Sequence, residues 1–414
     1  MLSSKAVCGF DFGTSNTSVA VKNSVGEVVC YSFPSAIFFE FETKSTLFGD
    51  EALTSYYDLI PGRLFTSFKS LLGKKIYDSS TMIHGQLIPF EEIITSYISF
   101  IKETVEKDIG YSLTAVLAGR PVFFIDQDPV ADAKAQADLK SIFQRTGFEL
   151  VEFELEPIAA TYSFLSHHTE ENTTILTVDI GGGTSDFCLF NSDDFSAGKK
   201  LPIETVGVHL GGDDFDKDFS MCSVMPLLGR GSKLKRNPSI TIPNHFFYDM
   251  SCWRSIYEQY KFKNINDIKQ IALQVEDNTA LERLIKVLNQ RLGHNVLKQV
   301  QNAKVTLSSV ENTIIDLDFV ENNLELQVSQ ADLNNALSKI LEKISASIDS
   351  LLSTLAVDPE QIDYIVCTGG STLVPALKNL LYQKFDRKKI IQHDTFNAVA
   401  KGLMLRAAEI LPAQ

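Results

Sequence analysis

The 414 residues carry 52 acidic and 38 basic side chains, a net charge of −14, and 44% are hydrophobic. That balance belongs to a folded protein and argues against nucleic acid or an anionic membrane as the main partner. The length calls for two lobes rather than one core. The six cysteines form no Cys-x-x-Cys pair and the seven histidines are scattered, so neither structural zinc, a disulfide framework nor histidine-held metal is expected.

No charged-then-apolar leader precedes the first strand, and no apolar run approaches the ~18–20 residues of a membrane span. The chain therefore reads as soluble and cytoplasmic. Strands are expected at Lys5–Phe10, Thr17–Lys22 and Glu27–Phe33, with a turn at Ser24-Val25-Gly26. Residues 36–90 lose that pattern and read as an inserted subdomain. A helix follows with Ile94, Ile98, Ile101 and Val105 on one face. Next come a buried-type strand at Thr114–Leu117, a helix carrying Leu139, Ile142 and Phe143 that Gly147 stops, and a strand at Leu150–Leu155. Glu156-Pro157 opens another helix.

The second half restarts the pattern with strands at Ile175–Val178, Phe187–Phe190 and Ile203–Val208. Residues 213–330 read as a second insertion: a polar, proline-bearing loop, helices near 279–308, and a hairpin of Thr313–Phe319 with Asn323–Val328. A long helix repeats apolar residues from Leu333 to Leu355 and stops before Asp358-Pro359. A strand at Tyr364–Cys367, a helix from Pro375 and a last helix at Ala398–Ile410 complete the chain. The basic runs Lys233-Leu234-Lys235-Arg236 and Arg387-Lys388-Lys389 read as solvated surface. Strands in threes followed by a helix, twice over, imply a duplicated α/β architecture. Lobe I is expected at 1–172 (core 1–35 and 112–172, insertion 36–111). Lobe II is expected at 173–390 (core 173–212 and 330–390, insertion 213–329), with a C-terminal helix in 391–414 returning to lobe I.

Two aspartates each close an apolar strand and precede glycine and small hydroxyl residues. They are Asp11 in Asp11-Phe12-Gly13-Thr14-Ser15-Asn16, and Asp179 in Asp179-Ile180-Gly181-Gly182-Gly183-Thr184-Ser185-Asp186. Glycine lets backbone N–H groups approach phosphate oxygens, and the hydroxyls of Thr14, Ser15 and Thr184 add donors. Carboxylates beside a polyphosphate repel it unless a divalent metal lies between, so Mg²⁺ is implied. One turn used twice reads as a clamp on a Mg-nucleotide. A third glycine pair, Gly369-Gly370, ends another strand.

As a set these motifs resemble those of the actin-like ATPases, specifically the DnaK-type heat-shock chaperones. Gly9-Phe10-Asp11-Phe12-Gly13-Thr14-Ser15-Asn16 resembles their first phosphate motif and Val178 through Asp186 their second. His209-Leu210-Gly211-Gly212-Asp213-Asp214-Phe215-Asp216 is similar to the segment that follows, and Cys367-Thr368-Gly369-Gly370-Ser371-Thr372-Leu373-Val374-Pro375 to the adenosine motif. Phe68-Lys69-Ser70-Leu71-Leu72-Gly73 and Glu156-Pro157-Ile158-Ala159-Ala160 also have counterparts. The stretch from Ile242 to Trp253 is similar to the YegD-like branch, whose members resemble the ATPase half without the peptide-binding half.

The resemblance implies an actin-like ATPase (ribonuclease H-like) fold around a nucleotide cleft, with ATP or ADP and Mg²⁺ as cofactors. Gly13, Thr14, Ser15 and Asn16, with Gly181, Gly182, Gly183 and Thr184, would hold the phosphates. Asp11 and Asp179 would hold hydrated Mg²⁺, Lys69 would position the attacking water, and Glu156 and Asp186 would orient water and the metal shell. Gly211, Gly212, Lys304, Ser308, Gly369, Gly370 and Ser371 would complete the nucleotide site. The chain departs from the pattern at the adenosine end. Gln301 stands for a glutamate, Val305 and Leu373 for arginines, and Phe396 for an aspartate. Lost guanidinium stacking would weaken the base by ~1–2 kcal/mol. The function implied is a slow ATP-hydrolysing switch related to chaperones, monomeric, with a protein partner or co-chaperone. A nucleotide-sensing module with little turnover, a small-molecule kinase of the same superfold and an actin-like filament remain alternatives.

Overall fold

Ten strands build the same sheet twice in the computed structural model, which describes residues 7–168, 172–192, 204–253 and 255–411. The first sheet holds β1 (Val7–Asp11), β2 (Asn16–Lys22), β3 (Val28–Pro34), β4 (Ala115–Arg120) and β5 (Leu150–Leu155), in the order β3-β2-β1-β4-β5. The second holds β6 (Thr174–Ile180), β7 (Ser185–Asn191), β8 (Glu204–Val208), β9 (Tyr364–Thr368) and β10 (Ile390–Gln392), in the order β8-β7-β6-β9-β10. In each, three antiparallel strands come first and two more join parallel to the first strand. Asp11 lies opposite Ser18, and Asp179 opposite Asp186, so the two hairpin turns have equal length. The expected strand residues Lys5, Ala6 and Ile203 lie outside the described residues.

β6 and β7 are buried almost throughout, the continuous apolar type that needs cover on both faces. In the first sheet part of the cover is the helix Ala398–Ile410, which packs on β1 and on the helix Glu156–Leu165. The approach is close enough to require glycine. A Cβ on Gly402 would stand 1.6 Å from the Ala159 carbonyl oxygen, and one on Gly9 2.4 Å from that of Ala400. Gly402→Ala is therefore expected to destabilise by about 3 kcal/mol, the upper range for overpacking. A large drop in the urea midpoint checks this, and an unchanged midpoint contradicts it.

The chain forms two compact units. The first, Met1–Gly211 with Ile344–Thr372 and Leu381–Gln414, contains both sheets. It also contains residues 36–90, where the structure finds more order than the sequence pattern shows. Three short strands (Ala36–Glu40, Thr46–Phe48, Gly62–Thr66), a helix at Gly49–Tyr57 and a hairpin of Ser80–Ile83 with Gln86–Pro89 lie there. His84 and Gly85, both left-handed, make the two-residue turn.

The second unit is Gly212–Lys343 with Leu373–Leu380. The segment expected as a polar loop carries the hairpin Lys233–Leu234 with Asn237–Thr241, and helices at His245–Met250, Ile256–Gln259 and Phe262–Ala272. The later hairpin pairs Asn312–Asp316 with Glu325–Ser329, a longer connection than expected, in which Asn323 is left-handed. His294 is buried against Trp253, the single tryptophan, with ring centroids 5.0 Å apart. Its Nε2 lies 3.3 Å from the Trp253 carbonyl oxygen.

Burial pulls the His294 pKa down to about 4, the carbonyl only partly opposing it. A base whose folded pKa lies below its unfolded value of about 6.5 contributes fully above pH 6.5. It withdraws stability as pH falls from 6.5 towards 4, by an amount on the order of 3 kcal/mol. Urea unfolding followed by Trp253 fluorescence should show this loss, and His294→Gln should flatten it. An equally steep acid limb in the variant contradicts the assignment.

Among the described residues no helix is long and apolar enough to cross a membrane.

Candidate functional site

Each phosphate-type turn begins where an apolar strand stops. In the first, a Cβ on Gly13 would lie 2.0 Å from the Asn16 carbonyl oxygen, so the turn closes only on glycine. Ser35 holds it from outside, its N–H donating to Ser15 O at 2.9 Å and its Oγ to Gly13 O at 2.8 Å. In the second, the Gly181 N–H donates to Thr184 O at 3.0 Å and Ser371 Oγ to Gly181 O at 2.9 Å. A Cβ on Gly211 would be 2.6 Å from the Gly182 carbonyl.

The two turns meet. A Cβ on Gly183 would stand 2.9 Å from Thr14 Oγ1, so small groups of both halves face each other across a side-chain-free gap. Gly369, left-handed with φ of +81°, closes in behind them. A Cβ there would be 2.3 Å from Ile180 O and 2.9 Å from Asp179 Oδ1.

Beside this junction lies a charge cluster. Lys69 comes from the Phe68–Leu71 turn, entered through left-handed Ser67. The neighbouring Phe68 ring packs on Phe12 at 5.8 Å and on Tyr97 at 4.9 Å, which fixes the turn against the first sheet. Lys69 Nζ meets Glu156 Oε1 at 2.8 Å, and both side chains are under a tenth exposed. Burial and then Glu156 push Asp11 up to about 7, with Lys69 opposing. Burial, then Glu156, do the same to Asp186, also to about 7, against the Val122 N–H and Thr184. Asp179 is raised well above the usual range by burial, then by Glu156, Asp186 and Asp11. Burial works against the Lys69 charge, yet Glu156 and Asp11 hold its pKa above normal.

Three buried carboxylates, Glu156, Asp179 and Asp186, and the half-buried Asp11 surround one buried ammonium and leave an excess of negative charge. A divalent cation fits that excess. Among the described residues no three His, Cys, Asp or Glu side chains make a ready-made cage. Mg²⁺ needs none, since it binds through one or two carboxylates, waters and ligand phosphates.

Sequence reasoning missed the support of Asp186. The Val122 N–H donates to Asp186 Oδ1 at 3.0 Å. The loop bearing Val122 is folded back by Arg120, whose Nε donates to Pro121 O at 3.2 Å and whose Nη2 donates to Val122 O at 3.3 Å and Asp132 Oδ2 at 2.8 Å. A backbone donor has no side-chain signature. The readable sign was Arg120 itself, an arginine ending an otherwise apolar strand.

In the second unit Gly212, Lys304 and Ser308 form a cluster of their own. Lys304 Nζ meets Asp216 Oδ1 at 2.8 Å and donates to Gly212 O at 3.1 Å, while Ser308 Oγ donates to Lys304 O at 3.2 Å. Burial raises the Asp216 carboxyl, with Lys304 opposing. Val305 on the same helix is largely exposed.

Residues 7–224 and 274–413 match the family model described as Hsp70 protein. The chain belongs to the Hsp70 family. Its duplicated sheets are those of the Hsp70 actin-like ATPase fold, and both glycine turns and the whole charge cluster fall in the matched residues. The unmatched 225–273 contains the hairpin and three helices that the sequence pattern did not show. The chain is 26% identical over 433 residues to chaperone protein dnaK of Cyanophora paradoxa, covering 96% of this chain and 59% of that one. It is 25% identical over 397 residues to chaperone protein DnaK of Mycoplasmoides gallisepticum (92% and 56%). It is also 25% identical over 433 residues to a ribosome-associated molecular chaperone of Zygosaccharomyces rouxii (97% and 60%). The chain thus spans a little over half the length of these Hsp70-family relatives.

Proposed function

We propose that this chain binds ATP or ADP with Mg²⁺ and hydrolyses ATP slowly, as a nucleotide-dependent switch related to the chaperones. The observation that carries the reading is the junction of Thr14 with Gly183 beside four carboxylates, three of them buried, and one lysine. Gly13, Thr14, Ser15 and Asn16 on one side, and Gly181, Gly182, Gly183 and Thr184 on the other, bind phosphate oxygens through N–H and hydroxyl donors. Asp11 and Asp179 hold the hydrated metal, which when bound neutralises phosphate charge. Lys69, fixed by Glu156, donates to the attacking water, and Asp186, fixed by Val122, accepts from that water. Phosphoryl transfer asks for this positioning and charge balance more than for covalent chemistry. Gly211, Gly212, Lys304, Ser308, Gly369, Gly370 and Ser371 serve the rest of the nucleotide.

On this reading residues 1–172 and 173–390 are two lobes that respond to nucleotide state in a monomeric cytoplasmic protein, read out by a protein partner or co-chaperone. Exposed Val305, where the resemblance expects a stacking arginine, favours one second reading, a nucleotide sensor with negligible turnover. A single-turnover assay with protein in excess over Mg-ATP decides. Phosphate release above buffer, stopped by EDTA, supports the switch. Bound ATP that stays intact supports the sensor, and no binding overturns both.

A further inference from the structure

One aromatic ring of the first unit takes no part in the proposed chemistry. Phe396 is 59% exposed, an apolar ring held in the open beside a polar site. Its backbone is tightly tied. The Gly369 N–H donates to Thr395 O at 3.1 Å, and Ser18 Oγ, next to the first turn, donates to Phe396 O at 3.1 Å. Asn397 N–H and Nδ2 both donate to Asp394 Oδ1 at 3.3 Å, and Asp394 pairs with Lys401. The segment is therefore anchored to both halves of the duplicated fold while its ring stays open to solvent.

The ring lies against the Gly369-Gly370 turn. A Cβ on Gly370 would be 3.2 Å from Phe396 Cε1, whereas Gly369 abuts Asp179 Oδ1. The order Asp179, Gly369, Gly370, Phe396 thus leads from the phosphate-type junction to an aromatic face. Burial is not what a phenylalanine gains here, because more than half of the residue's surface remains in water. A flat π-face on a tied backbone beyond a phosphate site is what a nucleobase stacks on. Every base has such a face, so stacking binds bases without choosing among them, unlike a pocket of hydrogen-bond donors and acceptors.

We propose that Phe396 is the stacking surface for the base of the bound nucleotide and that the chain accepts nucleoside triphosphates with little regard to base. The inference rests on the Mg-nucleotide reading of the same site.

Calorimetric titration of the full chain with Mg-ATP, Mg-GTP, Mg-CTP and Mg-tripolyphosphate tests it, in wild type, Phe396→Ala and Phe396→Trp. The four-ligand design separates this inference from the one beneath it. The expected result is affinities for the three nucleotides within about tenfold of one another, weakened about 10- to 100-fold by Phe396→Ala and restored by Phe396→Trp. Tripolyphosphate affinity stays unchanged across the variants. Nucleotide affinities that ignore Phe396→Ala, or ATP preferred over GTP and CTP by roughly a thousandfold, overturn this inference and leave the phosphate site standing. Failure of every ligand, tripolyphosphate included, removes the Mg-nucleotide reading and this inference with it.

Discussion

Lys69→Ala is expected to lower ATP hydrolysis by at least about 100-fold while changing nucleotide affinity by less than about threefold. The ammonium is the cation of a cluster with Asp11, Glu156, Asp179 and Asp186, and its own pair with Glu156 is buried. In the proposed mechanism it touches the attacking water, not the phosphates that the glycine turns already grip, so its loss falls on the chemical step. A second consequence comes with it. Removing one partner of a buried ion pair leaves Glu156 uncompensated, which typically costs about 3 kcal/mol or more. The metal-free variant should therefore unfold at lower urea than wild type, and saturating Mg-ADP should raise both midpoints by similar amounts because affinity is nearly unchanged. Rapid-quench single turnover and urea unfolding check the two halves. Turnover equal to wild type would remove Lys69 from the mechanism.

Asp179→Asn is expected to act in opposite directions on stability and binding. Three neighbours, Glu156, Asp186 and Asp11, repel the Asp179 charge in a buried site. Neutralising it should stabilise the metal-free protein by about 1–2 kcal/mol, the usual exchange when a charge kept for function is removed. The same change takes away half of the proposed metal-holding pair. Wild type bound at about a hundred times its Kd gains about 2.7 kcal/mol from Mg-ATP, and the variant should gain much less. Thermal unfolding with and without Mg-ATP reads both effects. A less stable apo variant that keeps its full ligand shift would contradict the charge account.

The legible parts of this chain were those where apolar patterning and local chemistry agree. β1, β6 and β9 are continuous apolar runs that lead into aspartate or glycine, so both the strands and the turns after them stood out. The Ala398–Ile410 helix was legible to its ends. Residues 36–90 were not, because their strands run for only three to five residues and are held by aromatic packing such as Phe39 on Phe65 at 5.6 Å. β10 has three residues and gave no periodic signal. The helices between 245 and 272 escaped because they are short or bury only one narrow face, as with Ile268 and Ala272 in Phe262–Ala272.

The site divides in the same way. Glycines and carboxylates in sequence announce a phosphate turn, whereas the Val122 N–H that holds Asp186 carries no side-chain mark. Phe396 stands out in the sequence only as a departure from a pattern. Its exposure and its anchoring are what give it a role.

The most direct test of the central claim is a calorimetric titration of wild-type protein with ATP, once in Mg²⁺ and once in EDTA. One site per chain, weakened at least about tenfold when the metal is withdrawn, is the result expected if the paired aspartates hold a metal against the phosphates. Binding that is indifferent to Mg²⁺, or no binding in either buffer, would contradict it.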